Sequence, residues 1–448
     1  MSTSTNMDPP QATTSSSSVR KADVIHKRVF GNRIFILNRP AAYNALDLSM
    51  IRNMTPQLQA WNESDLCKVI ILKATGNKAF CAGGDVKRVI NDMEQGEEQH
   101  AIKFFEEEYQ LNHLIATLDK PFVSFLDGIT MGGGVGLSIH APFRVATENT
   151  VFAMPEAKIG FFPDVGGSFF LPRFDGEVGT YLALTGASLK GLDVFLSGIA
   201  THYVPSQRLP LLENRLSEIE CDDHEVINAV IEEFVAECNR DHSYALGGNV
   251  RKSIDRVEDI LKALEQENSA WSRETINTLL RMSPTSLKVA LKQLRKGKNM
   301  VITDCFKMEY RLAQKFLKKS DFARGVNHLL VNKEKTPPKW NPPSLEEVTD
   351  IEFYFDPHGT QELELLNIRS FENYPFSRFS LPSEEEIRRV VTGENMSKED
   401  VVDFFLKDRI FKIGVREKVL EVLNRKAILL GGQERLGWVK DERVFTNL

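Results

Sequence analysis

Short, unbroken apolar runs alternate along the chain with stretches in which apolar side chains return every three or four positions. Val69-Ile70-Ile71-Leu72 and Phe122-Val123-Ser124-Phe125-Leu126 are of the first kind, and runs of that length read as strands buried on both faces. Phe143–Ala146 and Val151–Ala153 add two shorter ones. Residues 29–37 are β-branched and aromatic with a turn at Gly31-Asn32. They predict a hairpin in an ordered region that starts near Val24. Of the second kind are residues 47–61, with Leu48, Ile51, Met54, Leu58 and Trp61 at helical spacing, and residues 102–118, with Phe105, Tyr109, Leu114, Ile115 and Leu118 on one face. Strand and helix alternating at this pace predict an α/β core of parallel strands joined by crossover helices.

From about residue 188 to residue 330 the pattern is mostly helical. Ser283-Pro284 has the form of a capped helix start. The run Thr336-Pro337-Pro338-Lys339-Trp340-Asn341-Pro342-Pro343 is a proline-rich break, and a boundary belongs there. Beyond it, Ser383 with Glu386 and Ser397 with Asp400 have capping-box spacing. They open short amphipathic helices over residues 387–391 and 401–406. A third helix is expected over residues 415–430, ending at Gly431-Gly432. The expected organisation is therefore residues 1–23 as a disordered tail or weak transit segment, 24–200 as the α/β core with the active site, 201–340 as its helical continuation, and 341–448 as a proline-rich linker with a helical appendage.

Composition narrows the classes. The chain has 448 residues, 42% hydrophobic and 26% charged, the mix of a soluble globular protein. A net charge of −6 gives no general attraction for polyanions, so no nucleic-acid partner is expected. No apolar run nears the roughly 20 residues that span a bilayer, and no membrane partner is expected. The cysteines Cys67, Cys81, Cys221, Cys238 and Cys305 are scattered without a C-x-x-C pair, which fits a reducing compartment. The Ser/Thr-rich first twenty residues lack the apolar segment of a secretory signal.

The chemistry concentrates in three segments. Two are glycine-rich: Ala79-Phe80-Cys81-Ala82-Gly83-Gly84-Asp85, and Gly128-Ile129-Thr130-Met131-Gly132-Gly133-Gly134-Val135-Gly136. Each follows a strand signal and precedes a helix. Glycine lets backbone N–H groups turn toward a ligand oxygen, and two such loops can each give a donor to a developing oxyanion. Tight strand–helix packing is the competing explanation. Neither segment spells a dinucleotide or phosphate-loop fingerprint, and Gly166-Gly167-Ser168-Phe169-Phe170 lacks the last glycine of a nucleophile elbow. The nine histidines show no metal-ligand spacing, so no metal is expected. The third segment, residues 154–167, sets Glu156 and Asp164 eight residues apart among apolar, Gly and Pro neighbours. Burial there would raise their pKa toward the range that suits acid–base work. By spacing alone, capping of the glycine turns explains them better.

In order and spacing, the three segments resemble the crotonase (enoyl-CoA hydratase/isomerase) superfamily over roughly residues 24–340. Glu107-Glu108-Tyr109, Leu171-Pro172-Arg173 and Met282-Ser283-Pro284-Thr285-Ser286 extend the likeness. The resemblance implies a stack of ββα turns with a helical C-terminal part, here followed by an additional mostly helical tail. It implies that the N–H groups of Gly84 and Gly133 form the oxyanion hole. It further implies that Glu156 and Asp164 are the catalytic carboxylates, and that Glu108 contacts a substrate hydroxyl, with Gly133, Glu156 and Asp164 also at the substrate. Hydratases of the family hold water between two glutamates, and the position of the second is Gly136 here. That departure turns the implied reaction from hydration to thioester hydrolysis. The implied substrate is a short-chain β-hydroxyacyl-CoA, 3-hydroxyisobutyryl-CoA foremost, with CoA as part of the substrate and no cofactor. The implied compartment is the mitochondrion, the cytoplasm being the alternative. Hydration or isomerisation is one rival. Another is a structural role in a mitochondrial ribosome, since subunits there resemble such hydrolases. Residues 344–448 would then be the assembly contact, or otherwise a homo-oligomer contact. Cys81, beside the first loop, reads as a small buried thiol.

Overall fold

The computed structural model describes residues 22–237, 254–393, 396–429 and 436–439. The expected N-terminal tail up to residue 21 and Gly431-Gly432 lie outside them. Among the described residues the strands are β1 (Val24–Val29), β2 (Asn32–Leu37), β3 (Val69–Ala74), β4 (Ala79–Cys81), β5 (Phe122–Leu126), β6 (Ile129–Met131), β7 (Phe143–Ala146), β8 (Val151–Ala153), β9 (Leu189–Lys190), β10 (His202–Tyr203), β11 (Ala427–Leu429) and β12 (Leu436–Trp438).

The hydrophobic pattern produces the main sheet, ordered β1-β2-β3-β5-β7-β10. β1 and β2 form the antiparallel hairpin. Its turn falls at Phe30-Gly31, one residue earlier than expected, with Phe30 at φ 48°. From β2 onward every neighbour is parallel. Side chains alternate between two apolar layers, as period-2 strands require. Ile34, Ile36, Val69, Ile71, Val123, Phe125, Phe143 and Val145 pack with Leu212, Leu216, Ile227 and Ile231 on one face. Phe35, Leu37, Ile70, Leu72 and Phe122 join the larger cluster on the other. Each such side chain contributes about 1.5–3 kcal/mol on burial, so the sheet's register is strongly set.

A second sheet, ordered β4-β6-β8-β9, sits beside the first. Its first three strands are parallel. The carboxyl ends of β4, β6 and β8 therefore lie along one edge, and that edge carries the chemistry.

The helices follow their sequence signals. Leu48–Asn62 starts at Asp47, whose side chain accepts from Met50 N at 2.9 Å. Pro284–Gly297 starts at Ser283, which accepts from Ser286 N. Both expected capping boxes form. Ser383 N donates to Glu386 while Glu386 N donates to Ser383 Oγ, and Ser397 and Asp400 do the same. These boxes open helices Glu384–Gly393 and Lys398–Asp408. The third tail helix is shorter than expected and runs Val415–Lys426. Ala427 turns extended, and β11 pairs with β12. Sheet pairing captures backbone groups that the helix would otherwise have used.

The region after the proline-rich break shares the core of the rest. Tyr354, Leu363, Leu381, Ile387, Val401 and Val419 belong to the same apolar cluster as Phe35 and Leu72. Its first part lies along helix Glu98–Ala116. Gln110 donates to Glu364 O at 2.7 Å, and His113 Nε2 lies 2.9 Å from Arg369 O.

Candidate active site

Three parallel strands end at one edge and release three short loops there. Gly84 follows β4 by three residues, Gly133 follows β6 by two and Glu156 follows β8 by three. The two glycine loops use one device. Gly83 at φ 112° precedes Gly84, and Gly132 at φ 45° precedes Gly133. Only glycine takes such angles cheaply, and the turn frees the following amide from the strand ladder. Among the described residues, neither Gly84 N nor Gly133 N donates to another protein group. A Cβ added to Gly133 would stand 3.0 Å from Gly84 N, so the two amides are neighbours. Two free N–H groups side by side are what a developing oxyanion needs.

Three carboxylates close on this pair. A Cβ on Gly132 would meet Glu156 Oε1 at 2.8 Å, and one on Gly133 would collide with Glu108 Oε1. Glu108 comes from helix Glu98–Ala116. Asp164 comes from the loop after the short turn Glu156–Ile159, and its Oδ2 accepts from the Tyr109 hydroxyl at 2.8 Å. All three acids are buried. Glu108, Glu156 and Asp164 line one cleft of about 790 Å³ together with Gly84, Gly133 and Phe104. Lys158, Arg281 and Lys335 line the same cleft and are exposed.

The electrostatics follow from crowding acids away from water. Burial, then the nearby Asp164, holds Glu156 well above the usual carboxylate range. Burial, then Asp164 and Glu156, does the same to Glu108. Asp164 is pushed up to about 7 by burial, with the Tyr109 hydrogen bond opposing. Among the described residues no Lys, Arg or His pairs with any of the three. Glu108 Oε1 and Glu156 Oε2 are buried and have no protein partner. Unpartnered acceptors at this depth are costly, and here they face the cleft where a substrate would sit.

Gly136 lies in the same glycine segment. A Cβ there would be 2.7 Å from Asn112 Oδ1 and 2.7 Å from the Val165 side chain, so the site has no room for a second glutamate at this position. Cys81 is fully buried, its thiol pushed up to about 12 by burial, and it packs as core. Ser168 is buried and hydrogen-bonded to Glu309, far from the role of an exposed nucleophile.

The structure thus gathers Gly84, Gly133, Glu108, Glu156 and Asp164 into one cleft. Sequence reasoning missed Tyr109, which bonds Asp164 itself, and His140, Gln293 and Glu309, which bond the backbone on either side of it. A usable signal existed for Glu309. In helix Ile302–Leu317 it occupies the apolar stripe with Cys305, Leu312 and Phe316, and an acid at a core position asks for a buried partner.

The family model described as enoyl-CoA hydratase/isomerase matches residues 32–354. The chain is 46% identical to the small ribosomal subunit protein mS47 of Neurospora crassa, over 94% of this chain and 88% of that one. It is 45% identical to human mitochondrial 3-hydroxyisobutyryl-CoA hydrolase, over 74% of this chain and 87% of that one. Among solved structures it is similar to a carnitinyl-CoA dehydratase from Mycobacterium thermoresistibile (TM-score 0.71, 34% identity, 77% of this chain and 99% of that one). An enoyl-CoA hydratase from Rhodobacter sphaeroides is also similar (TM-score 0.69, 30% identity, 77% and 100%). With a matching model over most of its length and the fold to go with it, this chain belongs to the enoyl-CoA hydratase/isomerase family.

Proposed function

We propose that this protein is a mitochondrial acyl-CoA thioester hydrolase that converts 3-hydroxyisobutyryl-CoA to 3-hydroxyisobutyrate and CoA, a step of valine catabolism. One observation carries the reading: two free amides face buried, unpaired carboxylates while Gly136 leaves no place for a second hydratase glutamate. The thioester carbonyl oxygen sits between Gly84 N–H and Gly133 N–H, which stabilise the charge that develops on it. Ionised Glu156 either attacks the carbonyl carbon, giving a mixed anhydride that water then opens, or takes a proton from the attacking water. Asp164, poised at about 7, gives its proton to the departing CoA thiolate and recovers one from the water consumed. Glu108, with its free Oε1, accepts the hydrogen bond of the acyl hydroxyl. Lys158, Arg281 and Lys335 offer positive charge to the phosphates of CoA. No cofactor and no metal are required, because both protons and the nucleophile come from water and the acids.

The test is thiol release across a panel of short acyl-CoAs. The reading expects 3-hydroxyisobutyryl-CoA to be turned over fastest, with no loss of the enoyl absorbance of crotonyl-CoA. Hydration of crotonyl-CoA without thiol release would overturn it.

A second reading is favoured by coverage. The hydrolase relative leaves 26% of the chain unmatched, whereas the ribosomal relative leaves 6%, or about 27 residues, fewer than the 105 of residues 344–448. Most of the tail is therefore shared with that ribosomal protein, and a role in a mitochondrial small ribosomal subunit can coexist with an intact site. Co-sedimentation of the native protein with ribosomal particles supports it; exclusive recovery in the soluble fraction rejects it.

A further inference from the structure

The loop that carries Asp164 is held in an unfavourable shape from several sides. Val165 has φ 52° and Gly166 φ 86°. A β-branched residue in the left-handed region costs about 1–3 kcal/mol and persists only where its surroundings enforce it. Gln293, on helix Pro284–Gly297, donates to Pro163 O at 2.6 Å. His140 Nε2 lies 2.8 Å from Val165 O. Burial pushes that imidazole down to about 4, so it is neutral and donates through Nε2.

The strongest hold is Glu309, on helix Ile302–Leu317. Its Oε2 accepts from Gly166 N at 2.7 Å. Its Oε1 accepts from Ser168 N at 2.8 Å and from the Ser168 hydroxyl. Glu309 is fully buried, and among the described residues it forms no ion pair. Three donors converge on one carboxyl group, two of them amides within four residues of Asp164; they favour its ionised form against burial, which pushes it up to about 8. A carboxylate is the only side chain with two acceptor oxygens at this reach. A glutamine would keep one and turn its NH2 toward the other amide.

We propose that Glu309 is a positioning residue for catalysis: through the Gly166 and Ser168 amides it fixes the loop that aims the Asp164 carboxyl, against Tyr109, at the reacting thioester. The proposal rests on the hydrolase reading and on Asp164 as its proton donor. A misplacement of about 1 Å at a catalytic group can cost about 10²-fold in rate, so the clamp acts on turnover rather than on substrate binding.

The test is a double-mutant cycle read by steady-state thiol release from 3-hydroxyisobutyryl-CoA. Glu309→Gln is expected to lower kcat about 10- to 100-fold with KM within about twofold. In an Asp164→Asn background the same change is expected to lower kcat no further, because Glu309 acts through Asp164. A merely structural role would cost activity equally in both backgrounds, and that result, or an unchanged kcat in Glu309→Gln, overturns the clamp. Wild-type turnover by Asp164→Asn alone would instead remove Asp164 from the mechanism, which separates failure of the reading from failure of the clamp. Should Glu309→Gln not fold, Ser168→Ala removes one of the three donors, the hydroxyl, and leaves both amides in place. It is then expected to lower kcat about 3- to 10-fold only when Asp164 is present, and equal loss in both backgrounds overturns the proposal.

Discussion

The active-site edge and the C-terminal helices both bury charge, and they do it in opposite ways. At the edge, Glu108, Glu156 and Asp164 lie buried together, and among the described residues no cation pairs with any of them. In the C-terminal region, buried charges come in pairs. Arg409 meets Glu386 at 2.5 Å, Arg425 and Lys426 meet Glu384 at 2.8 and 3.4 Å, and Lys418 meets Asp175 at 2.6 Å. Lys412 meets Glu232 as well. The paired acids include Glu232, held down to about 2 by its partners against burial, whereas Asp164 is held up at about 7. Pairing stabilises a charge and removes its chemistry; leaving it unpaired keeps the chemistry at the expense of stability. The contrast separates the acids that tie the appended helices to the core from those that react.

The largest effect that sharpens this contrast is Glu156→Gln. Thiol release is expected to fall by about 10²–10⁴, the scale of a lost acid or base, with the melting temperature undiminished. Next comes Glu384→Ala, which takes from Arg425 one of its two acids, Glu421 being the other, and from Lys426 a partner at 3.4 Å. It is expected to cost about 1–3 kcal/mol in denaturant unfolding while leaving kcat per folded molecule unchanged. A stable but inactive Glu384→Ala would break the comparison.

A smaller effect is the pH profile of the wild type. The reactive form carries one proton on the pair, on Asp164 with Glu156 ionised, although burial and then the Asp164 charge raise Glu156 as well. Activity is lost as pH falls and the pair takes a second proton, and as pH rises and the pair loses its last one. The expected kcat/KM profile is a bell near neutrality whose limbs belong to the coupled acids jointly; a plateau from about pH 5 to 9 would contradict it. The smallest effect is Gly136→Ala. Its Cβ would press on Asn112 and Val165, lowering the melting temperature by about 2–4 °C and giving no crotonyl-CoA hydration.

Much of the fold is legible in the sequence because its signals are local. The runs at 69–72, 122–126 and 143–146 become strands where the apolar pattern puts them, and both capping boxes form since each needs only four residues. The third tail helix stops at Lys426 because β11 pairs with a strand further along, and local propensity carries no trace of that partner. The site is legible in part. Glu156 and Asp164 alone read better as turn caps, and gained meaning from the glycine loops before them. Tyr109 and Glu309 lie 55 and 141 residues from the groups they hold, so only the packed structure brings them together.

Glu156 is an acid kept unpaired at the expense of the fold's stability. The most direct test is the melting temperature of Glu156→Gln against wild type across pH. A carboxyl whose folded pKa is raised favours the fold at low pH and opposes it as pH rises. The variant is therefore expected to melt about 2–4 °C higher than wild type at pH 8, with the difference shrinking toward pH 5. A variant that melts lower than wild type at pH 8 would mean that Glu156 is a structural carboxylate, and would contradict the claim.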